Sequence, residues 1–172
     1  MKVISRQRNS RFCMVCGLDN PFGIRGAFYS MEDGSVMSPF RFHYNHQSYP
    51  GRVHGGMVTT VLDELGVRAL WAKNLDETLF GVTTSLTTKY RRPAPYETDL
   101  VSVGRIISET SRFFIVDAKL YDTNGVLYAD SELKYIKLAP EVISDGVDVH
   151  EQMPYLIEDG VKELPFDFIL KK

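Results

Sequence analysis

"PGRVHGGMVTTVLDELGVRA", residues 50–69, decides the fold. Residues 55–72 contain no proline and place Val58, Val61, Leu62, Leu65, Ala69 and Leu70 at the i, i+3, i+4 spacing of a helix. Apolar residues cover much of its circumference, so the helix should be buried on several sides. Asp63, Glu64 and Arg68 are its strongly polar positions.

Outward from this helix the pattern changes to period two. C-terminal to it, 79–91, 98–108, 112–122 and 126–138 are rich in Val, Ile, Thr, Tyr and Phe and read as strands. The Asn-Gly step in "DTNG", 122–125, marks a hairpin. N-terminal to it, 24–31 and 35–44 read as two strands, with Pro39 indicating an edge or a bulge in the second. Residues 1–21 read as irregular, 45–52 as a loop, and 140–172 as a mixed tail that packs on the surface or reaches a partner. Two strands, one long helix and four strands define an α+β domain, an antiparallel sheet curled around a single helix. Such a sheet has open edges, which favours pairing between copies.

The 172 residues fit one domain, 1–172, with a core over about 13–138. Apolar residues at 44% and charged residues at 24% are those of a globular protein. A net charge of -2 argues against nucleic acid or an anionic membrane as partner. The basic N-terminus lacks the apolar run of a signal peptide, and no stretch approaches a membrane span. With only two cysteines, the simplest expectation is a cytoplasmic protein with reduced thiols.

Two features of the central stretch carry chemistry. A helix start presents unsatisfied N–H groups and the positive end of its dipole. Gly55 and Gly56 have no side chains to shield it, so a carbonyl oxygen can approach; tight packing of the helix start is the competing use. Asp63 and Glu64 are expensive inside an apolar helix unless they have partners or reach water. Glu64 has Arg68 at i+4. Asp63 has no such partner and is the better candidate for chemistry. Gly55 and Asp63 are eight residues apart, about 12 Å along a helix rising about 1.5 Å per residue. One copy therefore cannot easily supply both donor and base to one carbonyl. Two antiparallel copies can, which predicts a site shared across a dimer.

"HGGMVTTVLDE" followed by "GVTTSLTTKYRRPAP" resembles the hotdog-fold thioesterases, in particular the PaaI-like acyl-CoA thioesterase group. The opening "CMVCGLDNPFGI" is similar to the N-terminal lead of many of its members. The resemblance implies a curved antiparallel sheet around one central helix, in homodimers that pair further in some cases. It implies hydrolysis of an acyl-CoA or related acyl thioester, with coenzyme A as part of the substrate and no separate cofactor. In this reading the Gly55 N–H polarises the thioester carbonyl. Asp63 of the other subunit acts as nucleophile or general base, Thr83 orients the carboxylate or water, and His54 positions the helix start. Some relatives carry an Asn six residues before the motif His; here that position is Ser48, with Gln47 and Asn45 as alternative donors. No G-x-S-x-G nucleophile elbow is present.

Arg91 and Arg92 follow the strand that ends at Tyr90 and suit the phosphates of coenzyme A, or are simply solvated charges. Cys13-x-x-Cys16 is half of a zinc pattern that His43 and His46 would complete, but nothing in the sequence fixes the distance between the pairs. A structural loop is the simpler reading, and no metal is expected. Two other functions compete on the same fold: a dehydratase or hydratase of acyl thioesters, whose catalytic His motif is not evident, and a non-catalytic acyl-CoA-binding protein, against which Asp63 argues.

Overall fold

The computed structural model describes residues 1–149 and 151–171. Seven strands form one antiparallel sheet: β1 (Val3–Arg6), β2 (Tyr29–Met31), β3 (Val36–Phe40), β4 (Gly81–Tyr90), β5 (Leu100–Glu109), β6 (Phe113–Asp122) and β7 (Leu127–Lys137). Their order is β1-β2-β3-β5-β6-β7-β4. The helix α1 (Gly55–Asn74) packs against β2 through β7, so the sheet wraps it. This is the hotdog arrangement.

The helix starts where His54 caps it: the Nδ1 of His54 accepts from the Gly56 N–H at 2.9 Å. It ends at Leu75, which adopts the left-handed conformation of a C-terminal cap. Val58, Val61, Leu62, Leu65, Ala69 and Leu70 are all buried, in one cluster with Val36, Leu100, Phe114, Val116, Leu120 and Leu133 of the sheet. The "DTNG" hairpin joins β6 to β7, with the Gly125 N–H donating to the Asp122 carbonyl.

The structure corrects two readings of the N-terminal half. Residues 1–21 are not all irregular, since Val3–Arg6 forms β1 and pairs with β2. The strand is only four residues long, and its partners are supplied from far along the chain. Pro39 marks neither an outer strand nor a bulge: β3 lies between β2 and β5. Pairing with β2 stops at Met37, whereas pairing with β5 continues to Phe40. The missing N–H of Pro39 therefore falls where β3 has only one neighbour.

The C-terminal tail packs. Leu164 and Phe166 are buried with Tyr29, Met31, Met37, Val101 and Val103 on the face of the sheet opposite α1. The tail also covers the β1 edge, where Val3 donates to Lys162 and Leu164 to Met1. Arg6 and Tyr29 both bond the Asp159 carboxylate. The β5 residues Leu100 to Val103 are buried on both faces for this reason, between helix and tail. Among the described residues nothing covers the β4 edge in this way, and Val82 and Leu86 on it are exposed. No helix among the described residues is long and apolar enough to cross a membrane.

Candidate active site

Asp63 lies eight residues into α1, half-buried, on the side that faces β4 and β7. Its Oδ1 accepts two hydrogen bonds, from Thr83 Oγ1 of β4 at 2.7 Å and from the Tyr135 hydroxyl of β7 at 2.8 Å. The same hydroxyl contacts the Asp63 backbone carbonyl. Oδ2 accepts no hydrogen bond from any described residue. Two donors thus hold the carboxylate through one oxygen and leave the other without a donor among the described residues.

Thr83 was legible as a partner, and Tyr135 was not. Tyr135 is 3% exposed, and its ring stacks on Phe114 with centroids 4.9 Å apart. Burial, with the Asp63 charge beside it, pushes the phenol well above its ordinary value, so it stays a donor at any working pH. Gly66 makes room for it, since a Cβ there would fall inside the Tyr135 ring. Period two in β7 marks Tyr135 as inward-facing, but only the sheet order puts β7 beside this part of the helix.

At the other end of the same interface is the helix start. The Gly55 N–H has no acceptor among the described residues, whereas the Gly56 N–H is taken by the His54 cap. Of the two glycines, only Gly55 offers a free donor. His54 caps this turn through that bond. Tyr90, at the end of β4, lies over Gly55: its hydroxyl donates to the Gly55 carbonyl at 3.0 Å and sits 2.6 Å from Thr59 Oγ1. Neither contact was read from the sequence.

Gln47 forms a β-bridge with Val53, and the His54 N–H donates to the His46 carbonyl. This brings the 46–48 segment alongside the helix start. The side chains of Gln47 and Ser48 are exposed and make no hydrogen bond to a described residue. Asn45 instead lines a cleft of about 300 Å³ with Phe22, Arg25, Arg41 and Glu97.

Arg91 is not free. Its guanidinium grips Asp130 of β7 through Nε at 2.5 Å and Nη2 at 3.1 Å. Arg92 gives one N–H to the Leu127 carbonyl and is otherwise exposed. Glu64 pairs with Arg68 as expected, Nε to Oε1 at 2.9 Å, but the pair is buried rather than a surface stripe. The histidines do not complete a site with the cysteines. His46 Nε2 lies 2.8 Å from the Phe22 carbonyl, and its Nδ1 accepts from the His43 N–H.

A sheet wrapped on one helix, with an anchored carboxylate inside that helix and an open N–H at its start, defines a hotdog protein. Residues 50–129 match the family model described as the thioesterase superfamily. Over that stretch, just under half of the chain, the sequence is similar to the thioesterase superfamily. "Putative esterase SSO1253" of Saccharolobus solfataricus is 32% identical over 102 residues, 59% of this chain and 66% of the relative. The chain thus spans just under two thirds of that relative's length.

Among solved structures, a thioesterase superfamily protein superposes with a TM-score of 0.65 at 24% identity, covering 74% of this chain and 60% of the other. A hypothetical thioesterase of Streptococcus pneumoniae, solved with coenzyme A, has a TM-score of 0.58 at 18% identity, covering 65% and 87%. The PaaI protein of the E. coli phenylacetic acid degradation operon has a TM-score of 0.58 at 15% identity, covering 65% and 78%. At these identities the structures share the fold.

Proposed function

We propose that this chain is a PaaI-like thioesterase that hydrolyses an acyl-CoA to a carboxylic acid and free coenzyme A. The observation that carries this reading is the Asp63 carboxylate, fixed through Oδ1 by Thr83 and Tyr135 with Oδ2 unengaged. A thioester is already activated, so one carboxylate and one oxyanion donor suffice for acyl transfer. Asp63 attacks the carbonyl carbon or takes a proton from the attacking water. The Gly55 N–H receives the oxygen as it becomes negative, and the C–S bond then breaks to release the thiolate, which ends as the thiol with a proton from water; where Asp63 is the nucleophile, water then cleaves the mixed anhydride and frees both carboxylates.

The two groups lie eight residues apart on one continuous helix, about 12 Å at about 1.5 Å per residue, too far for one carbonyl to touch both. The site is therefore shared by two copies, each presenting its helix start to the partner's carboxylate. The open β4 edge, beside a β1 edge closed by the tail, supports pairing at β4. Arg92, with N–H groups to spare, suits a phosphate of coenzyme A better than Arg91, whose fork is filled. Gln47, bridged to Val53 two residues before the helix, is the better placed second donor than Ser48. No cofactor beyond the substrate's own coenzyme A is required.

Thiol release from a panel of acyl-CoA esters tests the reading, with wild type beside Asp63→Ala and Asp63→Asn. The expected result is turnover of at least one ester, lost by about 100-fold or more in both variants while they remain folded. Turnover that survives both substitutions rejects it, and binding without turnover identifies an acyl-CoA-binding protein.

A further inference from the structure

Away from Asp63, the N-terminal lead brings three metal-ligating side chains against α1. Cys13 Sγ, Cys16 Sγ and a carboxylate oxygen of Glu64 lie within 4.8 Å of one another. Cys13 Sγ is 3.6 Å from Glu64 Oε2. The turn between the cysteines is built around sulfur. The N–H groups of Val15 and Cys16 both point at Cys13 Sγ, at 3.3 and 3.5 Å. Gly17 closes the turn so tightly that a Cβ there would overlap the Cys13 backbone.

Arg68 completes the cluster without occupying it. Its Nε holds Glu64 Oε1 and its Nη1 donates to the Arg8 carbonyl. Its guanidinium lies over Phe28 and Trp71 at 4.6 and 4.7 Å. The arginine thus fixes one carboxylate oxygen and leaves the other, Oε2, turned to the cysteines. A divalent cation that displaces both thiol protons would meet two thiolates, one carboxylate and one guanidinium, a double negative charge that it cancels.

We propose that Cys13, Cys16 and Glu64 bind a divalent metal ion of the zinc class, which ties the N-terminal lead to α1. Thiolate and carboxylate ligands around a tetrahedral centre are a zinc-type set. Ligands about 2.3 Å from such a centre are about 3.8 Å apart, so the three groups need to close by only about 1 Å. The remaining position is left to the Ser10 hydroxyl, 3.2 Å from Cys16 Sγ, or to water. Arg68 is the outer partner that orients Glu64. This site is independent of the thioesterase reading.

Cobalt(II) titration of the full chain tests it, after chelator dialysis and with the thiols kept reduced by a phosphine. One cobalt per chain is expected, with a thiolate charge-transfer band and the intense d–d bands of four-coordinate cobalt, both abolished by added zinc. Cys16→Ser should remove most of the charge-transfer intensity. Glu64→Gln should shift the d–d bands and weaken binding at least about 10-fold. Circular dichroism verifies each variant's fold, and Glu64→Asp, which keeps the charge but withdraws the oxygen, replaces Glu64→Gln if that variant does not fold. Absence of a thiolate band in the wild-type chain overturns the proposal. So does a spectrum and affinity indifferent to the Glu64 substitution, which would reduce the site to a bare thiol pair.

Discussion

Gly66 and Tyr135 are matched across the helix–sheet interface: the ring of Tyr135 occupies the space a side chain at Gly66 would need. That vacancy, three residues beyond Asp63 on the helix, lets the hydroxyl reach the Asp63 carboxylate. The glycine costs helix propensity and gains a fixed donor in return.

Gly66→Ala should therefore act at a distance from the carboxylate it affects. The methyl forces the Tyr135 ring out of its stack on Phe114, and overpacking of this kind costs about 1–3 kcal/mol. A thermal melt should show the loss of stability, and thiol release should fall with it. Gly66→Ala with wild-type stability and activity would show that the ring is not confined.

Tyr135→Phe keeps the ring and removes only the hydroxyl. Asp63 then has Thr83 as its one side-chain donor, and about 1–2 kcal/mol of stability should be lost with the bond. Because the carboxylate gains freedom to rotate, kcat should fall about 10- to 100-fold with KM little changed. A rise in KM alone would place Tyr135 against the substrate rather than behind Asp63.

Gly55→Pro isolates the proposed oxyanion donor. His54 already has the extended backbone, φ -63° and ψ 133°, that a following proline requires, and proline is well tolerated at the first helical position. The substitution removes the free N–H while keeping the helix, and should lower kcat about 100- to 1000-fold. Co-refolding this variant with Asp63→Asn then tests the shared site. Random pairing gives half mixed dimers, each with one intact site, so about a quarter of wild-type activity should return. No recovery would mean that each chain builds its own site.

Arg68→Ala should be the most destabilising of these changes. It strands the Glu64 carboxylate in a buried setting and strips the face of Phe28 and Trp71. Breaking one side of a buried pair costs about 3–5 kcal/mol. Urea unfolding should register it as a lower midpoint.

Glu109 sets an acid limit. Hydrogen bonds from Lys137 and Lys73, each at 2.6 Å, hold its carboxyl below the ordinary 4.5. A depressed folded-state value contributes stability that is complete above about pH 4.5 and is lost as pH falls through the folded value. The melting temperatures of wild type and Glu109→Gln should differ at neutral pH and converge in acid. A constant difference at every pH would rule out the ionic contribution.

Much of this was legible locally. The spacing of Val58, Val61, Leu62 and Leu65 marks the helix, the Asn-Gly step marks the β6–β7 hairpin, and the i+4 relation of Glu64 and Arg68 marks their pair. The reasons are short-range: helical period, turn chemistry and neighbouring charge operate within a few residues. The pairing of Asp63 with Thr83 was foreseen only through the family resemblance, because it spans twenty residues and two elements.

What the sequence by itself determined was therefore the set of elements and the residues fit for chemistry: one buried helix, a sheet around it, a carboxylate without a local partner, and an unshielded helix start. Tertiary structure alone decided which of these groups meet. The sheet order put Tyr135 beside Asp63, laid the distant tail along β1, and turned Glu64 rather than His43 or His46 toward the cysteine pair. The physical reason is range: these contacts join residues tens of positions apart, and they form only when burial of the helix against the sheet compensates the entropy of closing the loops between them.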